Sequence, residues 1–248
     1  MKKQLFLLNA RELFRDRKFF IFAMIFPFGM LLMFILMGKA IGSPEGGPNM
    51  SVISVPMAIY LAVTGSGLTV TAGPLASLRK QGVLRLLGTT PVRQFWFIGM
   101  HLLVRVLMLA VQLVGLLLVA WAFGSITLDS LAPLFFAGLL CLVFFLAVGY
   151  FIGSVVSSPD AASGTSTAIQ LGSLFASGLV LPFAFLPKAV VAVLTLLPTT
   201  FAADLLVGSI PTLDAAHPAV MSVLVVMGSA LSVLCLAVWK FRWNDLDS

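Results

Sequence analysis

The chain has 248 residues, of which 60% are hydrophobic and 10% charged, with a mean hydropathy of +1.11 and a formal net charge of +6. A soluble globule of this length could not hide so much apolar surface, so lipid is the expected solvent. The positive charge is spread over loop edges rather than gathered on one folded module, which argues against a nucleic-acid partner.

Residues 1–18 read as an amphipathic helix. Phe6, Leu7, Ala10, Leu13 and Phe14 share one face, while Asn9, Arg11, Glu12, Arg15, Asp16 and Lys18 occupy the other. Such a helix lies on a membrane surface with its aromatic stripe at headgroup level, either as an anchor among anionic lipids or as a contact for a soluble partner.

Six apolar runs follow, over residues 19–41, 52–77, 97–123, 131–156, 165–186 and 218–239. Each is long enough for a helix to cross the hydrocarbon core, where a helix satisfies its own backbone hydrogen bonds. The first is too long for a secretory signal and has no small-residue cleavage pattern, so it is expected to stay as an anchor. Of the 15 basic residues, all but Lys39, Lys188 and Arg105 precede the first run, lie between the second and third, or follow the sixth. The excess of Lys and Arg on one side places both termini in the cytosol. The short apolar stretch 189–197 lies between Pro187 and Pro198. It is too short to cross, and residues 187–211 are expected to form a re-entrant hairpin on the outer side. The predicted fold is therefore all-α, with a six-span domain over 19–248.

The loop 78–91 between the second and third spans carries the densest signal. Arg79, Gly82, Val83, Leu84, Arg85, Leu86 and Leu87 describe a short helix with apolar anchors and basic flanks, stopped by Gly88 before Thr90 caps and Pro91 starts the next helix. Exposed leucines beside arginines suit docking into a groove on another protein. A solvated loop that only sets topology fits the same residues. In the third span His101 and Arg105 stand one turn apart, and Arg105 is expected to snorkel toward the headgroups.

Small residues recur every four positions along the fifth run, at Gly164, Ala168, Gly172 and Ala176, with Ser166, Ser173 and Ser177 beside them. Gly65, Thr69, Gly73 and Ser77 do the same in the second. Either stripe allows close helix approach, within the chain or across an interface. Cys141 and Cys235 sit in apolar surroundings and read as packing residues, with no disulfide or metal site expected. No G-x-x-x-x-G-K-[ST] phosphate loop occurs, and no Asp or Glu sits near the centre of a span. The chain is thus not expected to be an enzyme, and coupling to an ion gradient is disfavoured.

The run Gly82-Val83-Leu84-Arg85-Leu86-Leu87 with Thr90-Pro91, behind an amphipathic helix and following the second span, resembles the membrane (permease) subunit of type-2 ABC exporters. So does Leu197-Pro198-Thr199-Thr200-Phe201-Ala202-Ala203-Asp204-Leu205-Leu206 before the last span. The resemblance covers nearly the whole chain. It implies a half-permease in the cytoplasmic (inner) membrane that pairs with a second permease subunit, identical or paralogous. It also implies a separate cytosolic ATPase, which binds the ATP and Mg; this chain has no cofactor of its own. The docking sites would be the loop helix and the amphipathic helix, through Phe6, Ala10, Leu13 and Phe14. The second and fifth spans would line the pathway or dimer interface, through Thr64, Thr69, Gly73, Gly164, Ala168, Gly172, Ser173 and Ala176. A pathway so apolar implies export of an amphipathic or hydrophobic cargo: a drug, an antibiotic, a lipid or a lipid-linked glycan. An ATP-independent channel, carrier or scaffold is the alternative. Two positions depart from the family pattern. Arg79, Lys80 and Gln81 stand where many members carry glutamates, and Val207 stands where a basic residue is frequent.

Overall fold

A computed structural model describes residues 17–41, 50–82 and 94–240, and no strand occurs among them. The first helix, α1, spans Arg17–Ile41, and α2 spans Met50–Thr64. A π-helical turn over Gly65–Thr69 joins α2 to α3, Val70–Lys80. Next come α4 (Gln94–Ala122), α5 (Leu131–Val155) and α6 (Pro159–Ala176). Two short helices, α7 (Lys188–Leu194) and α8 (Pro198–Val207), precede the last, α9 (Ala219–Lys240). Of the amphipathic helix predicted over residues 1–18, residues 1–16 lie outside the described residues, and Arg17 and Lys18 belong to α1.

Among the described residues, four helical stretches are long and apolar enough to cross a membrane: Met50–Lys80, Leu102–Ala122, Leu128–Val155 and Ala219–Trp239. The pair α7 and α8 is bent by 86° and makes a fifth if taken as one span. The bend follows from Pro198, which starts α8 at a position where its missing N–H costs nothing but cannot continue α7.

The fifth predicted span differs most from expectation. The run 165–186 predicts a helix starting at Thr165, yet α6 begins at Pro159, where Ser158 caps it by accepting a hydrogen bond from the Ala161 N–H and Asp160 sits in the first turn. It ends at Ala176, because Gly178 turns the chain with a φ of 78°.

The core centres on α5, which packs against α9, α3, the π turn, α2 and α4. Apolar on all sides, α5 suits a central position. Leu134, Cys141, Leu142, Phe145 and Leu146 of α5 join Ile59, Leu68, Leu113 and Phe201 in the buried cluster. The α4 helix also holds α1, through Gln112 Nε2, which donates to the Met24 carbonyl at 3.1 Å, three residues before Pro27. The far ends of these two helices meet where the Lys39 ammonium lies 5.2 Å from the Phe123 ring centre.

Candidate functional site: the broken second span

Between Met50 and Lys80 the chain runs as one membrane-length stretch, but it is not one regular helix. Gly65, Ser66 and Gly67 give the backbone little helical preference, and the turn they begin widens to the π form. Gly67 is needed for space: a Cβ there would stand 2.6 Å from the Phe145 Cβ and 2.8 Å from the Phe145 carbonyl carbon. On the facing helix a Cβ at Gly149 would stand 2.1 Å from the Gly67 carbonyl oxygen, and one at Gly153 would stand 3.0 Å from the Ala72 oxygen. Gly149 and Gly153, four residues apart, thus form a groove in α5 in which the broken span lies. The sequence reading missed this pair, although its signal is the same four-residue spacing that marks the other small-residue stripes.

The break is finished with polar groups. The Thr71 hydroxyl donates to the Ser66 carbonyl at 2.9 Å, across the widened turn. Pro74 has no N–H to give the Val70 carbonyl, its ordinary helical partner four residues back. Arg105 of α4 supplies the donor instead: its Nη2 reaches the Val70 oxygen at 3.0 Å, and its Nε reaches the Thr71 hydroxyl oxygen at 3.0 Å. At 1% exposure Arg105 is among the largest fully buried side chains. The snorkelling expected for it is therefore incorrect. Its guanidinium is directed inward, where a carbonyl inside the membrane would otherwise lack a partner.

The structure separates the eight residues expected at a pathway or interface into two groups. Thr69, Gly73 and Ser173 lie in a seam within the chain, between the second span and α6, and Thr64 is buried within the same span. Thr64 is fully buried and donates to the carbonyls of Tyr60 and Leu61 at 2.8 and 3.2 Å. Thr69 donates to Gln170 Oε1 at 2.9 Å, and the Ser173 carbonyl accepts from the Tyr60 hydroxyl at 3.3 Å. Gly73 backs onto Ser163, whose hydroxyl lies where a Cβ would be. By contrast Gly164, Ala168 and Gly172 face away from this seam and are exposed, with nothing within 4 Å of a Cβ placed at either glycine. Ala176 is half-buried, and its carbonyl accepts from Thr200 of α8 at 3.2 Å.

Arg79 is held within the chain: its Nη1 donates to the carbonyls of Gly153 and Ser154 at 3.0 and 2.5 Å, so its charge caps the C-terminus of α5. The cause is general: the last carbonyls of a helix lack partners, and a cation complements the negative end of its dipole. Gly82, at φ 69°, ends the stretch in the left-handed conformation that glycine tolerates. The remaining docking candidates, Val83, Leu84, Arg85, Leu86 and Leu87, lie outside the described residues, as do Phe6, Ala10, Leu13 and Phe14.

At the other end of the bundle Asp204 of α8 holds the strap that leads into α9. One carboxylate oxygen accepts from the Ala216 N–H at 3.2 Å, and the other lies 2.6 Å from His217 Nδ1. The His217 ring also packs on Phe201, with centroids 4.2 Å apart. Neither Asp204 nor His217 stood out as a pair in the sequence, since 13 positions separate them. Asp204→Ala is expected to free residues 208–217 and to cost about 2 kcal/mol, the usual loss for a charge-assisted hydrogen bond. Thermal melting in detergent and protease cleavage within the strap would measure both effects. Cys141 packs as expected, fully buried with its Sγ 3.3 Å from the Ala202 carbonyl, whereas Cys235 is exposed. Among the described residues no group of three or more His, Cys, Asp or Glu could hold a metal ion.

Around the second span the described polar groups serve as ties between helices and backbone. This arrangement offers a membrane-embedded helix, interrupted and re-tied, that leads into a basic loop. A comparison with curated proteins finds no match. A family model described as ABC-2 type transporter matches residues 3–210. That match covers most of a helical chain built around membrane-length apolar spans, and the protein belongs to the ABC-2 type transporter family as a multi-pass permease component.

Proposed function

We propose that the chain is one half of an exporter that moves an amphipathic or hydrophobic cargo across the cytoplasmic membrane, driven by a separate ABC ATPase. The observation that carries this reading is the second span. It is broken at Gly65–Thr69, re-tied by Arg105, and continued by α3 directly into the basic loop at Gly82. A helix of that form can carry a push from the cytosolic surface into the membrane. The ATPase would dock at Gly82 to Leu87 and on the N-terminal amphipathic helix, with six spans, both termini cytosolic and α7 with α8 as a re-entrant outer hairpin.

Pairing with a second permease subunit is supported by the free face of α6. Gly164, Ala168 and Gly172 present a flat exposed stripe, flanked by exposed Leu171 and Phe175. Drug or antibiotic export is the favoured form, because the exposed face of α6 between Gly164 and Phe175 carries small, apolar and hydroxyl side chains and no charge placed for a hydrophilic solute.

The test is purification of the chain in nanodiscs together with the products of its genomic neighbours. A co-purifying ATPase whose activity responds to hydrophobic compounds supports the exporter. Purification without an ATPase, combined with ATP-independent flux in liposomes, would overturn it in favour of a channel or carrier.

A further inference from the structure

We propose that Val70–Lys80 is a lever articulated at the Gly65–Thr69 π turn, and that Arg105 is the positioning residue that sets the angle of this joint. The transport role of the lever rests on the permease reading; the joint itself does not.

Two backbone faults fall close together. The π turn widens the helix before Val70, and Pro74 removes the next ordinary hydrogen bond after it. A membrane helix interrupted twice within ten residues has less backbone bonding to resist bending than an unbroken one. Beside the packing of Gly67 against α5 and the Thr69–Gln170 bond, a side chain from another helix resists bending here. Arg105 holds Val70 and Thr71 on the lever side, and the Thr71 hydroxyl extends the tie to Ser66 within the π turn. The clasp therefore fastens the lever to the π turn itself.

Beyond the joint, α3 is tied to its neighbours rather than to α2. Arg79 holds the end of α5 through Gly153 and Ser154, and Gly73 is seated on Ser163 near the start of α6. Above the joint, α2 has its own tie, from the Tyr60 hydroxyl to the Ser173 carbonyl near the end of α6. Displacement of α3 would thus carry the adjoining ends of α5 and α6 with it, while α2 stays with the opposite end of α6. The Val70 and Thr71 acceptors of Arg105 lie on adjacent residues, a spacing that suits a planar guanidinium with divergent N–H groups and not a lysine ammonium.

Hydrogen exchange on the purified chain in nanodiscs tests the joint without any partner. Thr71→Val removes the hydroxyl at constant shape, and Arg105→Gln removes the fork. Both are expected to speed amide exchange over residues 65–76 by roughly tenfold, the effect of one lost buried hydrogen bond, with α9 unchanged. Thr71→Ser keeps the hydroxyl and is expected to restore slow exchange. Unchanged exchange in Thr71→Val, equal behaviour of the Ser and Val variants, or a uniform rise over every helix would each overturn the joint. With the ATPase present, Thr71→Val is expected to keep hydrolysis within about twofold of the unaltered protein while transport per ATP falls roughly tenfold. Transport and hydrolysis falling together would overturn its role in coupling. If the unaltered protein shows no ATP-driven transport, it is the permease reading that fails, and the exchange data still decide the joint.

Discussion

Gly149→Leu is expected to abolish recovery of folded protein, and Gly149→Ala to lower the melting temperature despite replacing a glycine in mid-helix. Two effects oppose each other in the alanine variant. Alanine in a helix interior gains about 1 kcal/mol over glycine from propensity alone. Against this, the new Cβ would stand 2.1 Å from the Gly67 oxygen, 3.1 Å from the Gly67 carbon and 3.2 Å from the Leu68 Cα. All three are backbone atoms, so no rotamer change relieves the clash. The helices must separate, and overpacking of this kind costs about 1–3 kcal/mol even where side chains can adjust. The packing loss therefore wins. Gly73→Ala is the informative contrast, because the obstructing atom there is the Ser163 hydroxyl, which can rotate away. Gly172→Ala meets open space and should keep the propensity gain. Yield of monodisperse protein and melting in one detergent would rank the variants as Gly172→Ala, Gly73→Ala, Gly149→Ala, Gly149→Leu. A Gly149→Ala protein as stable as the unaltered one would show that the groove is not closely filled.

Leu84→Asp is expected to abolish export while leaving the membrane fold intact, and Leu86→Asp to do the same. On the proposed permease role these leucines are apolar anchors for the ATPase, and loss of a central anchor costs a complex about 2 kcal/mol or more, roughly thirtyfold in affinity. An aspartate adds the cost of placing a charge in the groove that received the leucine. The measurements are co-purification of the ATPase, transport in proteoliposomes and the melting temperature of the permease alone. Normal ATPase binding and export in either variant would count against docking at this loop.

Much of the architecture was legible because long apolar runs leave the backbone few choices in lipid. The runs 19–41 and 131–156 match α1 and α5 to within two residues at each end, and 218–239 matches α9 to within one. What escaped was whatever depends on a second helix. The π turn lies inside the run 52–77, where Gly65-Ser66-Gly67 signals weak helix preference, but the widening itself depends on how Gly67 meets Phe145 of α5. The start of α6 was obscured by polarity: Ser158-Pro159-Asp160 is a helix-start signature, but seven small or polar residues follow before Ala168, and the apolar stretch begins later. Arg105 was assigned by the rule for charges near helix ends. Its acceptor, the Val70 carbonyl left over by Pro74, could be deduced from the sequence, but the meeting of the two could not. The stripe on α6 was visible, yet only the structure shows Gly164 and Gly172 on the face turned away from the second span.

The last helix has a further consequence. Along α9, Ser222, Val226, Ala230 and Ala237 are buried, whereas Val220, Leu224, Leu231 and Val238 are more than half exposed. The inner row meets fitted surfaces on α5 and α8, where each volume is prescribed. The outer row meets no shape among the described residues, so there it must satisfy only a solubility condition, and any branched or unbranched aliphatic side chain meets that condition equally well. One helix therefore carries two alphabets, one written in volumes and the other only in polarity. Exchange of Leu, Ile, Val and Met along its outer row should pass almost unnoticed, while the same exchange one position around the helix would not.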